Sequence, residues 1–404
     1  MVFLKINREL KKYIMGTEHL NVLIKPASSL CNLRCGYCFY HDLADNRDIK
    51  SHGIMQKYIT DALIKNSVNY AERSISFAFQ GGEPTLAGTD YYYYFIDRVN
   101  KILSESEKKL KINYSIQTNG IIIKNTNEEF LKLFKENNFL VGLSLDGIKD
   151  INDFYRIDSK GEGTHNKIIK TAKLFDKYKI DYNILNVITA QTAKHIEKIY
   201  NYYKNLGFYY LQFIPCLAPL EKENFNEIYS LTPELYEKFL INLFKLWRDD
   251  FVNNKYISIR FFDNLVRIAA GYSSEQCGTF GFCGGQFVIE ADGSVYPCDF
   301  YCVDNWKTGN ILSMSFEELY NSQNMRKFRE TSDYAKYPAD KYESEKCESC
   351  KVFYLCRGGC RRDRDNKKDG VAGKNIYCEA LYNFYCYAEL YLEEIVKIMR
   401  KMGR

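Results

Sequence analysis

Six short runs rich in β-branched and aromatic residues punctuate residues 20 to 216: Asn21–Pro26, Ser74–Gln80, Lys111–Thr118, Phe139–Asp146, Tyr182–Thr189 and Phe208–Pro215. Between them lie longer segments with apolar residues at helical spacing, such as Ile54–Tyr70, Asp90–Leu103, Asn127–Asn137, His165–Tyr178 and Ala193–Asn205. A strand followed by a helix does not hairpin onto its neighbour; the crossover returns the chain parallel to its start. The pattern therefore predicts an α/β fold with a parallel sheet. Six repeats are too few for the usual closed eight-fold barrel. An open, partial (β/α)6 barrel is expected, with its site at the strand C-termini.

A long amphipathic stretch, Thr232–Asn253, bridges to a different region, and from Ile257 the alternation stops. Gln286–Pro297 reads as a hairpin, with Phe287, Ile289, Val295 and Tyr296 flanking the turn Ala291–Gly293. Helix is expected again at Cys378–Lys401. The organisation expected is an extension over residues 1–19, a barrel with its bridging helix over 20–255, and a cysteine-rich domain over 256–404. A net charge of only +5 argues against a dedicated nucleic-acid binder. No run of 18 apolar residues exists, and charges interrupt the apolar residues at the start of the chain. Neither a membrane span nor a secretory leader is expected. The protein is therefore read as cytoplasmic, where thiols stay reduced and clustered cysteines are metal or redox ligands.

Three of the 14 cysteines stand directly after the first strand run, at Cys31, Cys35 and Cys38. Their C-x-x-x-C-x-x-C spacing suits three irons of a four-iron cluster, leaving the fourth iron open for chemistry. A structural zinc site is the alternative, but zinc wants four ligands, and the nearest further ligand is His41. Tyr37 precedes the last cysteine and could shield the cluster or pack on a ligand. The second strand run ends in Q-G-G-E-P, Gln80–Pro84. Its glycines admit close backbone approach, and Glu83 with nearby carbonyls could accept from an ammonium group. An ordinary strand-to-helix turn is the plainer reading. Ser144 and Asp146 end the fourth run, and Arg156 could hold a carboxylate by a bidentate pair, or simply be solvated. Together these groups form the set that a bound amino acid needs beside an open iron.

Eight further cysteines are ordered as Cys277, Cys283, Cys298, then Cys347, Cys350, Cys356, Cys360, then Cys378. Eight thiolates suffice for two fully ligated four-iron clusters; two four-cysteine zinc sites are the alternative. Cys216, Cys302 and Cys386 remain as buried small hydrophobes, although Cys302 is close enough to Cys298 to compete as a ligand. The basic run Arg357–Lys368 would raise the potential of a nearby anionic cluster, or form a solvated loop. Asp299 follows Cys298, and a neighbour of a fixed ligand is itself held well.

The segments I-K-P-A-S-S-L-C-N-L-R-C-G-Y-C-F-Y, Q-G-G-E-P-T-L-A-G and S-L-D-G, together with the tail cysteines, resemble the radical S-adenosylmethionine (SAM) superfamily. Within it they resemble the anaerobic sulfatase-maturating enzymes of the SPASM group. The resemblance implies Cys31, Cys35 and Cys38 as ligands of the open cluster. It implies SAM contacts near Tyr37, Gly82, Ser144, Arg156 and Leu217, beside the Glu83 read above. It implies an interleaved pair of closed clusters, on Cys277, Cys283, Cys298 and Cys360 and on Cys347, Cys350, Cys356 and Cys378. Three [4Fe-4S] clusters and SAM are thus the implied cofactors. An external donor such as flavodoxin or ferredoxin would reduce the open cluster. SAM cleavage would give a 5′-deoxyadenosyl radical, which removes a β-hydrogen from a Cys or Ser of a bound peptide. Asp299 would take the side-chain proton, the closed clusters would take the second electron, and the product would be Cα-formylglycine. Tyr40 and Gln80 would meet the peptide. The rival outcome is a thioether or carbon–carbon crosslink in a ribosomal peptide. A rival of another class is a non-enzymatic iron–sulfur carrier or sensor.

Overall fold

The structure is a computed structural model that describes residues 18–122, 128–220, 228–332, 347, 349–365 and 373–401. Most of the extension expected over residues 1–19, and the end of the basic run beyond residue 365, lie outside the described residues. Ten strands form among the described residues: β1 (His19–Ile24), β2 (Ser74–Phe79), β3 (Lys111–Thr118), β4 (Leu140–Ser144), β5 (Tyr182–Ile188), β6 (Tyr210–Pro215), β7 (Ser258–Ile259), β8 (Phe287–Ile289), β9 (Ser294–Tyr296) and β10 (Gly309–Asn310). The helices that matter below are α1 (Phe39–Asp45), α2 (Lys57–Tyr70), α3 (Thr89–Ser104), α4 (Glu129–Glu136), α5 (His165–Tyr178), α6 (Ile196–Asn205), α7 (Pro233–Val252), α8 (Arg260–Ala269) and α9 (Cys378–Lys401). The chain divides into two compact units.

The first unit holds the described residues up to Leu145, Asn152–Asn183 and Gly284–Phe328. Its strands run in the order β10-β9-β8-β1-β2-β3-β4. The pairs β1–β2, β2–β3 and β3–β4 are parallel, as helical crossovers demand. The hairpin β8–β9 is antiparallel and lays β8 parallel against β1. In β2 the alternation S-I-S-F-A-F sends Ile75, Phe77 and Phe79 inward, all buried. The apolar stripe of α3 covers them: the Phe95 ring lies 5.0 Å from Phe77 and 5.1 Å from Phe79, both edge-on. This packing fixes the strand ends from which the site loops emerge.

The second unit holds Asp146–Ile151, Ile184–Cys283 and the described residues from Arg329 onward. Here β5–β6 and β6–β7 pair in parallel. Thr232 caps α7 by accepting from the Leu235 amide, and Pro233 opens the helix without wasting a donor. The buried face of α7 packs on α9, with Phe244 edge-on to Phe384 at 5.8 Å. Neither unit's strands close on themselves, and the class is the expected α/β one. The helical segment read as Ala193–Asn205 is broken at His195 into Ala190–Lys194 and α6.

Candidate functional site

The site begins where β1 ends. Lys25 and Pro26 stop the strand, and a tight turn over Ala27–Leu30 delivers Cys31 (Leu30 N to Ala27 O, 2.9 Å). Cys38 opens α1. The three thiols are half-buried and feel one another. Burial pushes the Cys31 thiol up to about 12, with Glu83, Cys35 and Cys38 adding to it and the Leu33 amide opposing. Burial also raises Cys38, against the pull of Arg156 and Lys25 among others. Among the described residues no three His, Cys, Asp or Glu side chains converge on a single ion. Three soft thiols on one loop are the donor set that an iron–sulfur cluster takes, and structural zinc wants a fourth ligand.

The Gly-Gly-Glu loop after β2 is locked to the cysteine turn. Gly82 N donates to Ser28 O at 2.9 Å, and Glu83 N donates to Leu30 O at 2.7 Å. A Cβ on Gly82 would lie 2.1 Å from the Leu30 carbonyl oxygen, so only glycine fits. Glu83 is fully buried. Its Oε1 accepts from Thr85 N (3.1 Å), Thr85 Oγ1 (2.5 Å) and Thr118 Oγ1 (2.7 Å), and its Oε2 accepts from Asn119 N (2.8 Å). Burial raises the Glu83 carboxyl, and these bonds oppose the rise. Glu83 therefore clamps the ends of β2 and β3 together. Among the described residues Oε1 thus accepts three hydrogen bonds and Oε2 one. Asn119 extends the clamp, donating to Asn32 Oδ1 at 2.8 Å and reaching Cys31 Sγ at 3.9 Å.

The far wall of the loop is the segment from Tyr155 to Asp158. Arg34 N donates to Ile157 O (2.8 Å) and Gly36 N to Tyr155 O (3.0 Å). This brings Arg156, 7% exposed, against the triad, where its Nη1 donates to the Tyr37 hydroxyl at 2.8 Å. Ser144 is buried at the end of β4. Leu217 belongs to the second unit, in the segment after β6.

Asp299 joins this unit through the hairpin. Its Oδ2 accepts from the Tyr40 hydroxyl at 2.6 Å, and its Oδ1 faces Lys25 Nζ at 3.1 Å. Lys25 also lies 4.8 Å over the Tyr40 ring. Burial works against the Lys25 charge, but Cys302, Asp299 and Glu290 outweigh it, and the ammonium is held protonated. Burial, then Asp299, raises the Tyr40 phenol, keeping it a donor. Gln80 Nε2 donates to Gln117 Oε1 at 2.8 Å. Cys302 is completely buried with its thiol toward Cys298 O at 3.6 Å, and burial pushes it up to about 12. Lys25 and Asn119 are the residues that sequence reasoning left without a role. A lysine inside an apolar strand, just before a proline and a cysteine turn, was the available signal for Lys25. A Lys25→Met variant leaves the Asp299 carboxylate buried and half-paired, and is expected to lose about 3 kcal/mol of stability. Melting of Lys25→Met, Asp299→Asn and the double variant checks this: the double should recover part of the loss, and strict additivity would contradict the pairing.

The cysteines of the second unit fall into two electrostatic groups. Burial raises Cys356, and Cys378, Cys347 and Cys350 add to it. Cys360 is raised first by burial and then by Asp363, Cys277 and Cys283. The Cys277 turn is stiffened by Asn264, which donates to Thr279 Oγ1 (3.0 Å) and accepts from Ser274 Oγ (3.1 Å) and Glu275 N (2.8 Å). Cys298 ends the hairpin of the first unit.

The pattern of the Radical SAM superfamily matches residues 26–203, and that of the iron-sulfur cluster-binding SPASM domain matches residues 281–351. A cysteine-type anaerobic sulfatase-maturating enzyme of Clostridium novyi (strain NT) is 46% identical over 368 residues, spanning 91% of this chain and 95% of that protein. The chain belongs to the anaerobic sulfatase-maturating enzymes. A serine-type member of this family, from Bacteroides thetaiotaomicron, is 27% identical over 405 residues, spanning 95% of this chain and 93% of that one. The solved structure of native anSMEcpe with bound AdoMet and Cp18Cys peptide superposes with a TM-score of 0.87 at 44% identity, covering 94% of this chain and 99% of that chain. The maturating-enzyme fold, a partial radical SAM barrel followed by a SPASM domain, is thus the fold of this chain. Among the described residues no helix is long and apolar enough to cross a membrane.

Proposed function

We propose that this chain oxidises a cysteine side chain of a sulfatase-type peptide to Cα-formylglycine. The observation that carries the reading is Asp299: a carboxylate held from both sides, by Tyr40 and Lys25, in the same unit as the cysteine triad. The greater likeness to the cysteine-type relative than to the serine-type one supports cysteine as the target.

Cys31, Cys35 and Cys38 hold the open cluster. Bound there, the cluster and SAM would supply the chemistry of a 5′-deoxyadenosyl radical, able to take a hydrogen atom from the target Cβ. Gly82 and Glu83 receive the SAM ammonium, while Arg156, steadied by Tyr37, takes its carboxylate. Ser144 and Leu217 complete the SAM contacts. Asp299 receives the target thiol proton, with Lys25 and Tyr40 fixing the carboxylate so that no reorganisation is needed as it does so. Tyr40, whose hydroxyl is spent on Asp299, and Gln80 meet the peptide. Cys277, Cys283, Cys298 and Cys360, and Cys347, Cys350, Cys356 and Cys378, would hold the closed clusters, which would supply the outlet for the second electron. Loss of the hydrogen atom, proton and electron leaves a thioaldehyde, and water replaces its sulfur, released as hydrogen sulfide, to give the aldehyde. A small donor such as flavodoxin or ferredoxin supplies the first electron, in the cytoplasm, and neither nucleic acid nor membrane is a partner.

The test is anaerobic reconstitution, then incubation with SAM, a reductant and a cysteine-containing sulfatase peptide, with the peptide mass as readout. An aldehyde is expected. A crosslinked peptide would replace formylglycine with the ring-forming alternative, and absence of SAM cleavage would leave an electron carrier.

A further inference from the structure

Arg361 and Arg364 are each only 1% exposed, among the largest fully buried side chains of the protein. Arg361 follows Cys360 directly in the chain, and Arg364 lies four residues after it. Arg364 Nη2 donates to the Ser332 carbonyl at 2.8 Å, and the Ser332 hydroxyl in turn accepts from the Cys283 amide at 2.8 Å. Arg361 Nη1 donates to the neighbouring Thr331 hydroxyl at 2.7 Å, and its Nε lies 3.6 Å from Asp365. One buried serine thus ties a guanidinium to a cysteine, and a second guanidinium is anchored one residue away. A third guanidinium, Arg357, is 7% exposed, and its Nη1 is buried without a hydrogen-bond partner. It stands beside Cys356, and its Cβ meets the position a Gly281 Cβ would take at 3.4 Å.

Burying guanidinium groups is costly unless something anionic shares the space. Asp363 meets only part of that charge: one carboxyl, pushed by burial up to about 6 against the pull of Arg362 and Arg364, stands among several guanidinium groups. Asp365 is at the edge, with its side chain 21% exposed. A thiolate-ligated four-iron cluster is anionic and becomes more so on reduction, so a fixed positive charge beside it favours the reduced form. In a dry interior that influence is far larger than for a solvated arginine.

We propose that Arg361 and Arg364 are positioning residues that raise the reduction potential of the cluster served by Cys277, Cys283 and Cys360. The inference rests on the reading above that these cysteines hold a cluster. It divides the basic run by function: its buried members tune the cluster, and Arg362, whose Nη2 donates to Ala218 O at 2.6 Å, braces the loop.

The test is an EPR-monitored redox titration of the full-length, reconstituted protein, comparing wild type with Arg364→Gln, Arg361→Gln and the matching Lys variants. In each Gln variant one cluster potential is expected to fall, by about tenfold in its reduction equilibrium or about 59 mV for one electron, while the other two stay in place. The Lys variants should return most of the shift, because they restore charge without the fork. Unchanged potentials in both Gln variants at full iron content overturn the proposal. So does loss of iron from both Gln variants with retention in both Lys variants, since the arginines would then build the site and not tune it. If wild type lacks the additional clusters by iron count, the reading of the ligands fails instead. Aldehyde yield on the peptide is scored separately, so failure of the proposed activity leaves the potential measurement intact.

Discussion

An Asp299→Asn variant is expected to go on cleaving SAM while its aldehyde yield falls by about 10² to 10⁴-fold, the range that a positioned proton acceptor contributes. The substitution keeps the shape of the side chain and an oxygen for Tyr40 to bond. It removes the basic site for the target thiol proton, which neither Tyr40, held protonated, nor Lys25, held as an ammonium, can replace. The groups assigned to SAM, Gly82, Glu83, Tyr37 and Arg156, make their own bonds to the cysteine loop and to each other. The ratio of 5′-deoxyadenosine to aldehyde should therefore rise sharply. An unimpaired aldehyde yield would remove Asp299 from the reaction.

The second large effect is expected at Gly82. An added Cβ meets not only the Leu30 oxygen at 2.1 Å but also the Leu30 and Ser29 carbonyl carbons at 2.7 Å, all of them backbone. No rotamer can relieve that clash. The loop after β2 has to separate from the cysteine turn, breaking the bonds from Gly82 N to Ser28 O and from Glu83 N to Leu30 O. Gly82→Ala is expected to cost about 3 kcal/mol, the upper part of the overpacking range, and to lower SAM affinity and triad iron together. Gly36, between two cysteines of the triad, is the control: an added Cβ there meets nothing within 4 Å. Gly36→Ala should keep SAM binding, measured by the spectroscopic change on adding SAM to the reduced protein. Equal SAM affinity in the two variants would show that the close approach at Gly82 does not matter.

The strand–helix alternation was legible because each element carries its own period. Lys111–Thr118, His165–Tyr178 and Cys378–Lys401 have the same bounds in sequence pattern and structure. The break at His195 was not legible, since the apolar spacing continues through it. There the Thr189 hydroxyl accepts from the Thr192 amide and starts a separate short helix. The site was legible as a set of residues but not as a set of contacts. Asp299 and Tyr40 were each picked out, one as base and one as a peptide contact, yet they are 259 residues apart and nothing local says that they touch. Glu83 was legible as an acceptor, but its donors Thr118 and Asn119 come from the neighbouring strand end 35 and 36 residues on. Lys25 was hidden for the same reason: its partner arrives with a hairpin that pairs with β1 only in the folded chain.

In the proposed reaction a hydrogen atom leaves the target Cβ while Asp299 takes the thiol proton. The most direct measurement uses a sulfatase peptide whose target cysteine carries deuterium at Cβ, incubated anaerobically with the reconstituted protein, SAM and reductant. Deuterium is expected in the 5′-deoxyadenosine, in step with aldehyde formed. Aldehyde accompanied by 5′-deoxyadenosine carrying only protium would contradict it.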